Sequence, residues 1–319
     1  MPLFEIDSSG ELIPFRRLRG GGDLYERQIE DLAWANPEEI TGESLFLVRR
    51  QASLQQGGVA DIVALDREAR VVVIEVKRDF ERQQLAQCLE YAGWARRTNL
   101  DELAQMYRFG AERFFSDWQE FTGSDVPAIV NPSPRLILLA GSFHARTAAA
   151  IDFLIENRAP VKVVPISIYE DQQGRKFVDI EAEHEPEFAA GSSEHAAEVI
   201  DHTKINGHRV RLSDLLEYDL LVPGDSLYWD RPQLGNRYDA TITDAGAIRL
   251  SDGRTFSSPS RAGMEAAGIA SLDGWLAWRV TRRNGALLNE LRHELAATAN
   301  AEDSSSAAPT TATAEPSGL

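Results

Sequence analysis

Ala60-Asp61-Ile62-Val63-Ala64-Leu65, followed by Val71-Val72-Val73-Ile74-Glu75-Val76-Lys77, is the stretch whose reading decides the fold. The second segment is a nearly unbroken apolar run, the pattern of a strand covered on both faces. Side chains alternate along a strand, so Glu75 and Lys77 project to one face while Ile74 and Val76 project to the other. A carboxylate and an ammonium inside such a run cost several kcal/mol unless paired or holding a metal. Asp66-Arg67-Glu68-Ala69 reads as the turn between the segments, and a hairpin of this form sets Asp61 beside Glu75. Two hard oxygen ligands this close suit Mg²⁺ or Mn²⁺.

The neighbouring segments extend this constellation. From Asp23 to Asn36, Leu24, Ile29, Leu32 and Ala33 recur at helical spacing, with Glu26 and Glu30 one turn apart. Pro37 disfavours α geometry at Asn36 and predicts the end of that helix. A second helix is expected from about Glu81 to Arg97, carrying Gln87 and Tyr91 at i and i+4 on one face.

Glu26, Asp61, Glu75-Val76-Lys77 and Gln87-Cys88-Leu89-Glu90-Tyr91 together resemble the PD-(D/E)xK nuclease core with its Gln-x-x-x-Tyr extension. The likeness is greatest to the nuclease domain of NucS (EndoMS-type) proteins and their RecB-like relatives. It covers roughly 22–98 well and extends more loosely to about 182. The resemblance implies an α/β fold, a restriction-endonuclease-like mixed sheet flanked by helices. It further implies that Asp61, Glu75 and the Val76 carbonyl bind the metal. Lys77 would orient or activate the attacking water, Glu26 would complete the outer shell, and Gln87 and Tyr91 would position the phosphate. Ala60 stands where the family name has proline. The chain starts only a short way before Glu26, so the N-terminal domain of NucS proteins is expected to be missing, and mismatch recognition is not implied.

Each assignment has a plainer alternative. An isolated Glu-x-Lys in a chain that is 26% charged means little, because surface ion pairs are common. Its apolar setting, the Asp-bearing strand before it and the Gln-x-x-x-Tyr after it favour the catalytic reading. Glu30 and Gln84 read as bystanders on solvated helix faces. Tyr91 fits core packing nearly as well as substrate contact. Cys88, the one cysteine, excludes an internal disulfide and a cysteine-rich zinc site, and reads as a small core residue. His144 reads as a capping or surface histidine.

At 319 residues and 43% hydrophobic content, the chain is long enough for a large core and two domains. It contains no apolar run of membrane-spanning length and no secretory leader pattern, which predicts a cytoplasmic protein without a membrane partner. The net charge of −17 is concentrated: 179–201 holds eight acids and no Lys or Arg, whereas 202–297 has twelve acids and twelve bases. Arg16-Arg17-Arg19, Arg49-Arg50, Arg96-Arg97 and Arg282-Arg283 remain available for phosphate.

Further α/β structure is expected from Arg135–Ala140 (strand), Thr147–Asn157 (helix), Val161–Tyr169 (strand), a turn at 171–174 and a return strand over 176–180. The acid-rich 183–206, with Pro186 and Gly191-Ser192-Ser193, reads as a linker. Beyond it come Val210-Arg211-Leu212-Ser213-Asp214-Leu215-Leu216, Pro223-Gly224-Asp225-Ser226-Leu227-Tyr228, Ala240-Thr241-Ile242, Asp252-Gly253-Arg254-Thr255-Phe256, Ser257-Ser258-Pro259-Ser260-Arg261-Ala262 and Asp273-Gly274-Trp275-Leu276-Ala277-Trp278. This ordered series resembles a RAMA domain (restriction enzyme and adenine methylase associated). It implies a small α+β DNA-recognition module beside the nuclease. Trp229 and Trp275 are the candidate base-stacking residues, while Tyr228 and Trp278 read as core.

The expected division is 1–182 nuclease, 183–206 acidic linker, 207–297 recognition domain and 298–319 disordered tail. The expected activity is a divalent-metal-dependent DNA endonuclease, restriction-like and directed to modified or foreign DNA. A repair nuclease acting on branched or single-stranded ends, or a catalytically inactive DNA-binding adaptor, are the competing readings. A homodimer and a methylase or helicase partner are compatible with either enzyme.

Overall fold

The strands Val59–Leu65 and Arg70–Phe80 pair antiparallel, in register from Ile62–Ile74 to Leu65–Val71. One further step of that register sets Asp61 across from Glu75. Asp66 builds the turn: its Oδ1 accepts from the amides of Glu68 (3.1 Å) and Arg70 (2.9 Å), and its Oδ2 accepts from Arg70 Nε at 2.7 Å. This hairpin is the centre of a computed structural model that describes residues 3–6, 8–18, 22–55, 58–125, 129–180, 204–205, 208–269 and 271–306.

Contacts divide the chain into two units, 1–192 with 268–273, and 193–267 with 274–319. The first is built on a seven-stranded mixed sheet. Its order is Arg16–Arg17, Val161–Glu170, Asn131–Phe143, Arg70–Phe80, Val59–Leu65, Phe46–Ser53, with Lys176–Ile180 added to Val161–Glu170. Arg70–Phe80, Asn131–Phe143 and Val161–Glu170 run parallel, and the other pairs are antiparallel. The parallel centre is covered on both faces, as such strands require.

One face packs Val72, Ile74, Val76, Ile137 and Leu139 against Tyr25, Ile29 and Ala33 of the helix Gly22–Ala35. The other packs Val71, Val73, Leu136 and Leu138 against Leu85, Cys88 and Tyr91 of the helix Arg82–Ala95, with Phe114, Trp118 and Phe121 of Ala111–Thr122 and Ile151 of Ala145–Glu156. Burial of each large apolar side chain contributes roughly 1.5–3 kcal/mol, so this two-faced core dominates the stability of the unit.

The expected helices and strands of the first unit are present, with longer bounds for the strand Asn131–Phe143. Three details depart from expectation. Leu24 is 65% exposed and Tyr25 takes its place in the core. Pro37 ends one helix but begins another, Pro37–Thr41, because its missing N–H is no loss at a first helical position. The edge strand Phe46–Ser53 carries charge and lacks a clean alternation, so nothing in the sequence announced it.

In the second unit six short antiparallel strands pair in the order Thr255–Phe256, Ile248–Leu250, Asn236–Ile242, Ser226–Arg231, Arg279–Val280, Ala286–Leu287. Leu227, Trp229, Ala240, Ile242, Ile248, Leu250 and Val280 are buried on one face. The helices Leu212–Glu217, Pro259–Ala267 and Leu288–Ser306 complete the expected α+β texture. A Cβ on Gly274 would come within 2.1 Å of the Pro259 carbonyl carbon, so only glycine permits this approach. The last helix continues past Thr298, where the tail was expected to lose order. Most of the predicted linker and residues 307–319 lie outside the described residues. Among the described residues no helix is long and apolar enough to cross a membrane.

Candidate active site

Glu75 lies in the middle of a strand whose neighbours Val73, Ile74 and Val76 are buried, and is itself 1% exposed. Its Oε1 accepts from Lys77 Nζ at 2.7 Å, while its Oε2 is buried without a hydrogen-bond partner. Burial, together with the negative charge of Asp61, pushes its carboxyl up from the ordinary 4.5 to about 7, against the opposing pull of Lys77. An orphaned carboxylate oxygen in a core is costly.

Asp61, at the mouth of the hairpin, has both oxygens engaged. Its Oδ2 accepts from the Val76 amide at 2.8 Å and lies 3.5 Å from Lys77 Nζ. Its Oδ1 accepts from Gln51 Nε2 at 3.1 Å. The Lys77 ammonium also donates to the Val76 carbonyl at 3.0 Å. Glu75, Asp61 and the Val76 carbonyl therefore converge on a single cationic group. Burial pulls the Lys77 ammonium down, but the charges of Glu75 and Asp61 more than offset it and hold it above the ordinary lysine range. The competition between burial and paired charge is resolved in favour of charge.

Glu26 sits on the helix Gly22–Ala35, on the other side of the same strand end. Its Oε1 accepts from the Arg78 amide at 2.9 Å, one residue beyond Lys77. Gln87 and Tyr91 do share a helix face, where the Gln87 amide donates to the Tyr91 hydroxyl. That hydroxyl in turn donates to the Val59 carbonyl at 2.8 Å, two residues before Asp61. Tyr91 is thus fully buried and anchors the strand that delivers Asp61, the packing role that was the alternative for it. Cys88, on the same helix, is buried, and its thiol is pushed up by that burial.

Glu30 is corrected. It is not a solvated helix-face charge: it is 4% exposed, paired with Arg50, and accepts from Gln51 Nε2 at 2.8 Å. Gln51 was missed altogether, since a lone glutamine in an unpredicted edge strand carries no periodicity or motif signal. Several arginines expected to meet phosphate are otherwise occupied. Arg16 pairs with Glu170, Arg17 donates to the Gly141 carbonyl and to Ser167 Oγ, and Arg282 pairs with Asp225 at 2.7 Å. Arg49 is exposed on the same strand as Gln51. His144 is exposed at the first position before the helix Ala145–Glu156 and makes no side-chain cap.

In the second unit the two candidate stacking residues are core. Trp229 is 6% and Trp275 4% exposed; Trp229 packs on Tyr238 and Trp278, and Arg292 lies over Trp275. Trp278 is buried as expected, with its indole N–H donating to the Pro259 carbonyl at 3.0 Å. The opposite face of the sheet is open, and Tyr228, expected in the core, lies half-buried on it instead. Pairing sets Tyr228 beside Asp239 and Arg279, Asp230 beside Arg237, and Thr241 beside Arg249. Arg237, Arg249 and Arg279 are exposed, and the Arg237 guanidinium lies 4.3 Å over the Tyr228 ring.

Residues 193–301 match the family described as Restriction Enzyme Adenine Methylase Associated, RAMA. Among solved structures, a repair endonuclease from Pyrococcus abyssi is similar at 18% identity over 43% of this chain and 45% of that one, with a TM-score of 0.25. EndoMS in complex with double-stranded DNA is similar at 19% identity over 44% of each chain, with a TM-score of 0.26. EndoMS in its apo form is similar at 20% identity over 44% and 46%, again with a TM-score of 0.26. The chain thus spans less than half the length of these structures. No curated protein matches it.

Proposed function

We propose that this chain is a divalent-metal-dependent DNA endonuclease whose second unit selects the substrate, with modified or foreign DNA as its target. One observation carries the catalytic half of that reading. A buried carboxylate with an unpartnered oxygen stands beside a second carboxylate and a lysine, in the middle of a strand whose flanking residues Val71–Ile74 and Val76 are apolar and buried.

The donor set fits Mg²⁺ or Mn²⁺, which take carboxylate, carbonyl and water oxygens. Asp61, Glu75 and the Val76 carbonyl would hold the ion, and Glu26 would face its outer shell. Among the described residues no three acidic, histidine or cysteine side chains form a closed cage, and a site that leaves room for water and phosphate needs none. A bound divalent ion supplies charge neutralisation at the phosphate and a lower pKa for an attacking water. The chain's own groups do the rest. Glu75, once ionised, and Asp61 would supply the negative charge that holds the ion. Lys77 would act by holding the water and stabilising developing negative charge. Gln87 and Tyr91 act by keeping the Asp61 strand in place, with the Gln87 amide the nearer of the two to solvent.

The catalytic groups meet only phosphate, which is alike at every step of DNA, so selectivity needs a second reader. The RAMA-matching residues would supply one. Because Trp229 and Trp275 are covered, we assign DNA contact in this unit to the open sheet face bearing Tyr228, Arg237, Arg249 and Arg279.

The test is cleavage of covalently closed plasmid in Mg²⁺ or Mn²⁺ by purified wild type, Glu75→Ala and Lys77→Ala, beside thermal melts. Wild-type cutting, with losses of 10²-fold or more in both folded variants, is expected. Full cleavage by folded Glu75→Ala removes the assignment. Activity confined to linear or branched substrates selects the repair reading, and none on any DNA selects the adaptor.

A further inference from the structure

We propose that Gln51 is a positioning residue for the catalytic carboxylate: its side-chain amide spans Glu30 and Asp61, and so fixes Asp61 for metal without neutralising it. The inference rests on the metal-site reading above. Gln51 lies in the strand Phe46–Ser53, between the Arg50–Ile62 and Ala52–Ala60 pairs, which sets it across from Asp61. One nitrogen makes both contacts, 2.8 Å to Glu30 Oε2 and 3.1 Å to Asp61 Oδ1. An amide NH₂ has two donor hydrogens, and both are used here. Glu30 is the fixed end of the strut. It is buried in the helix Gly22–Ala35 and clamped by Arg50, so the amide transmits the helix position to Asp61.

The backbone supplies an independent reason to single out this residue. Gln51 has φ +48°, in the left-handed region that side chains with a Cβ rarely adopt. The other described non-glycine residues with positive φ are Ala69, Arg158, Asp219 and Asn284, and all of them sit in turns or just beyond helix ends. Gln51 alone among them lies inside a strand, where glycine would be the relaxed choice. Strained residues persist where the side chain does something the relaxed residue cannot. Here the strain aims the amide at Asp61. A neutral donor is also the right chemistry. Lysine or arginine would hold Asp61 equally well, but would compete with the metal for its charge. Amide donation leaves the carboxylate anionic while restricting its rotation.

Groups that hydrogen-bond a metal-ligating carboxylate typically change metal affinity 10–100-fold when removed. The experiment is Mn²⁺ binding to the full chain by calorimetry at pH 8, with metal-free melts of the same samples. Gln51→Gly relaxes the backbone and deletes the amide, so it is expected to melt at or above the wild-type temperature and to bind Mn²⁺ at least tenfold more weakly. Gln51→Leu keeps the side-chain bulk without donors, and is expected to lose affinity to the same degree. Should the glycine variant fail to fold, the leucine variant decides the matter alone. Wild-type affinity, within twofold, in either folded variant overturns the proposal. Glu75→Ala distinguishes the two readings. If it binds Mn²⁺ as wild type does, or if wild type binds none, the metal site fails and this proposal falls with it. If Glu75→Ala loses binding while Gln51→Gly keeps it, only the role of Gln51 is lost.

Discussion

Glu75 is an acid kept where its charged form is disfavoured, and this has a pH signature. With its carboxyl raised from 4.5 to about 7, the folded chain holds a proton between those values that the unfolded chain has released. Stability contributed by this group is complete below pH 4.5 and is lost as pH rises through 7. Binding of the proposed metal would have the opposite sign, because the ligand must be ionised. Metal-free wild type is therefore expected to lose melting temperature between pH 5 and 8 more steeply than Glu75→Gln, while Mn²⁺ affinity rises over the same window. Parallel melting curves for the two proteins would contradict the raised carboxyl. Lys77 follows the reverse logic: its pairing with Glu75 and Asp61 keeps it cationic throughout that range.

At the scale of elements, the site depends on how the start of the strand Val59–Leu65 is held. Gly58 has φ +89°, and a Cβ there would approach Tyr91 Cε1 to 2.9 Å and its hydroxyl to 3.2 Å. The tyrosine ring, its bond to the Val59 carbonyl and the glycine turn form one packed unit, two to three residues from Asp61. Gly58→Ala imposes left-handed strain, about 1–3 kcal/mol, and also pushes on the ring. It is expected to lower the melting temperature by several degrees and to reduce cleavage beyond what the stability loss explains. Denaturant unfolding beside initial rates measures both. Unchanged rates in a destabilised protein would detach the turn from the site.

At the scale of the molecule, a chain of net charge −17 that acts on DNA as proposed must reach a polyanion, so local cationic surface matters more than the total. The open sheet face of the second unit offers it unevenly. Arg237 is drawn to Asp230 (3.7 Å) and Asp239 (3.1 Å), and Arg279 donates to the Gly285 carbonyl at 2.9 Å. Arg249 has no carboxylate partner among the described residues. Arg249→Ala in an inactive Glu75→Ala background is expected to lower duplex affinity, and to reduce the slope of log affinity against log salt by about one. Tyr228→Ala is expected to narrow the difference between methylated and unmethylated duplex. Fluorescence titration of matched duplexes across a salt series reads both effects. Equal affinities and equal slopes for all proteins would remove this face from DNA recognition.

The sequence by itself determined the central hairpin, three of the helices that cover it and the placement of Asp61, Glu75 and Lys77 together, whereas the helix Ala111–Thr122 was not announced. Those features are local: a period-two pattern, an apolar run and a turn leave few alternatives. The change of texture after the acidic stretch was legible for the same reason. Only the tertiary structure decided which polar groups are buried and what they touch. Glu30 looks like any helix-surface acid until Arg50 and Gln51 arrive from an edge strand twenty residues away. Trp229 looks like a stacking platform until the two faces of a six-stranded sheet are told apart, and Trp275 until the short helix Gly274–Ala277 is seen to be buried. Gln51 has no signature at all, because its meaning lies in a backbone angle and two distances. Burial and pairing of side chains far apart in sequence are properties of the packed chain, and no periodicity records them.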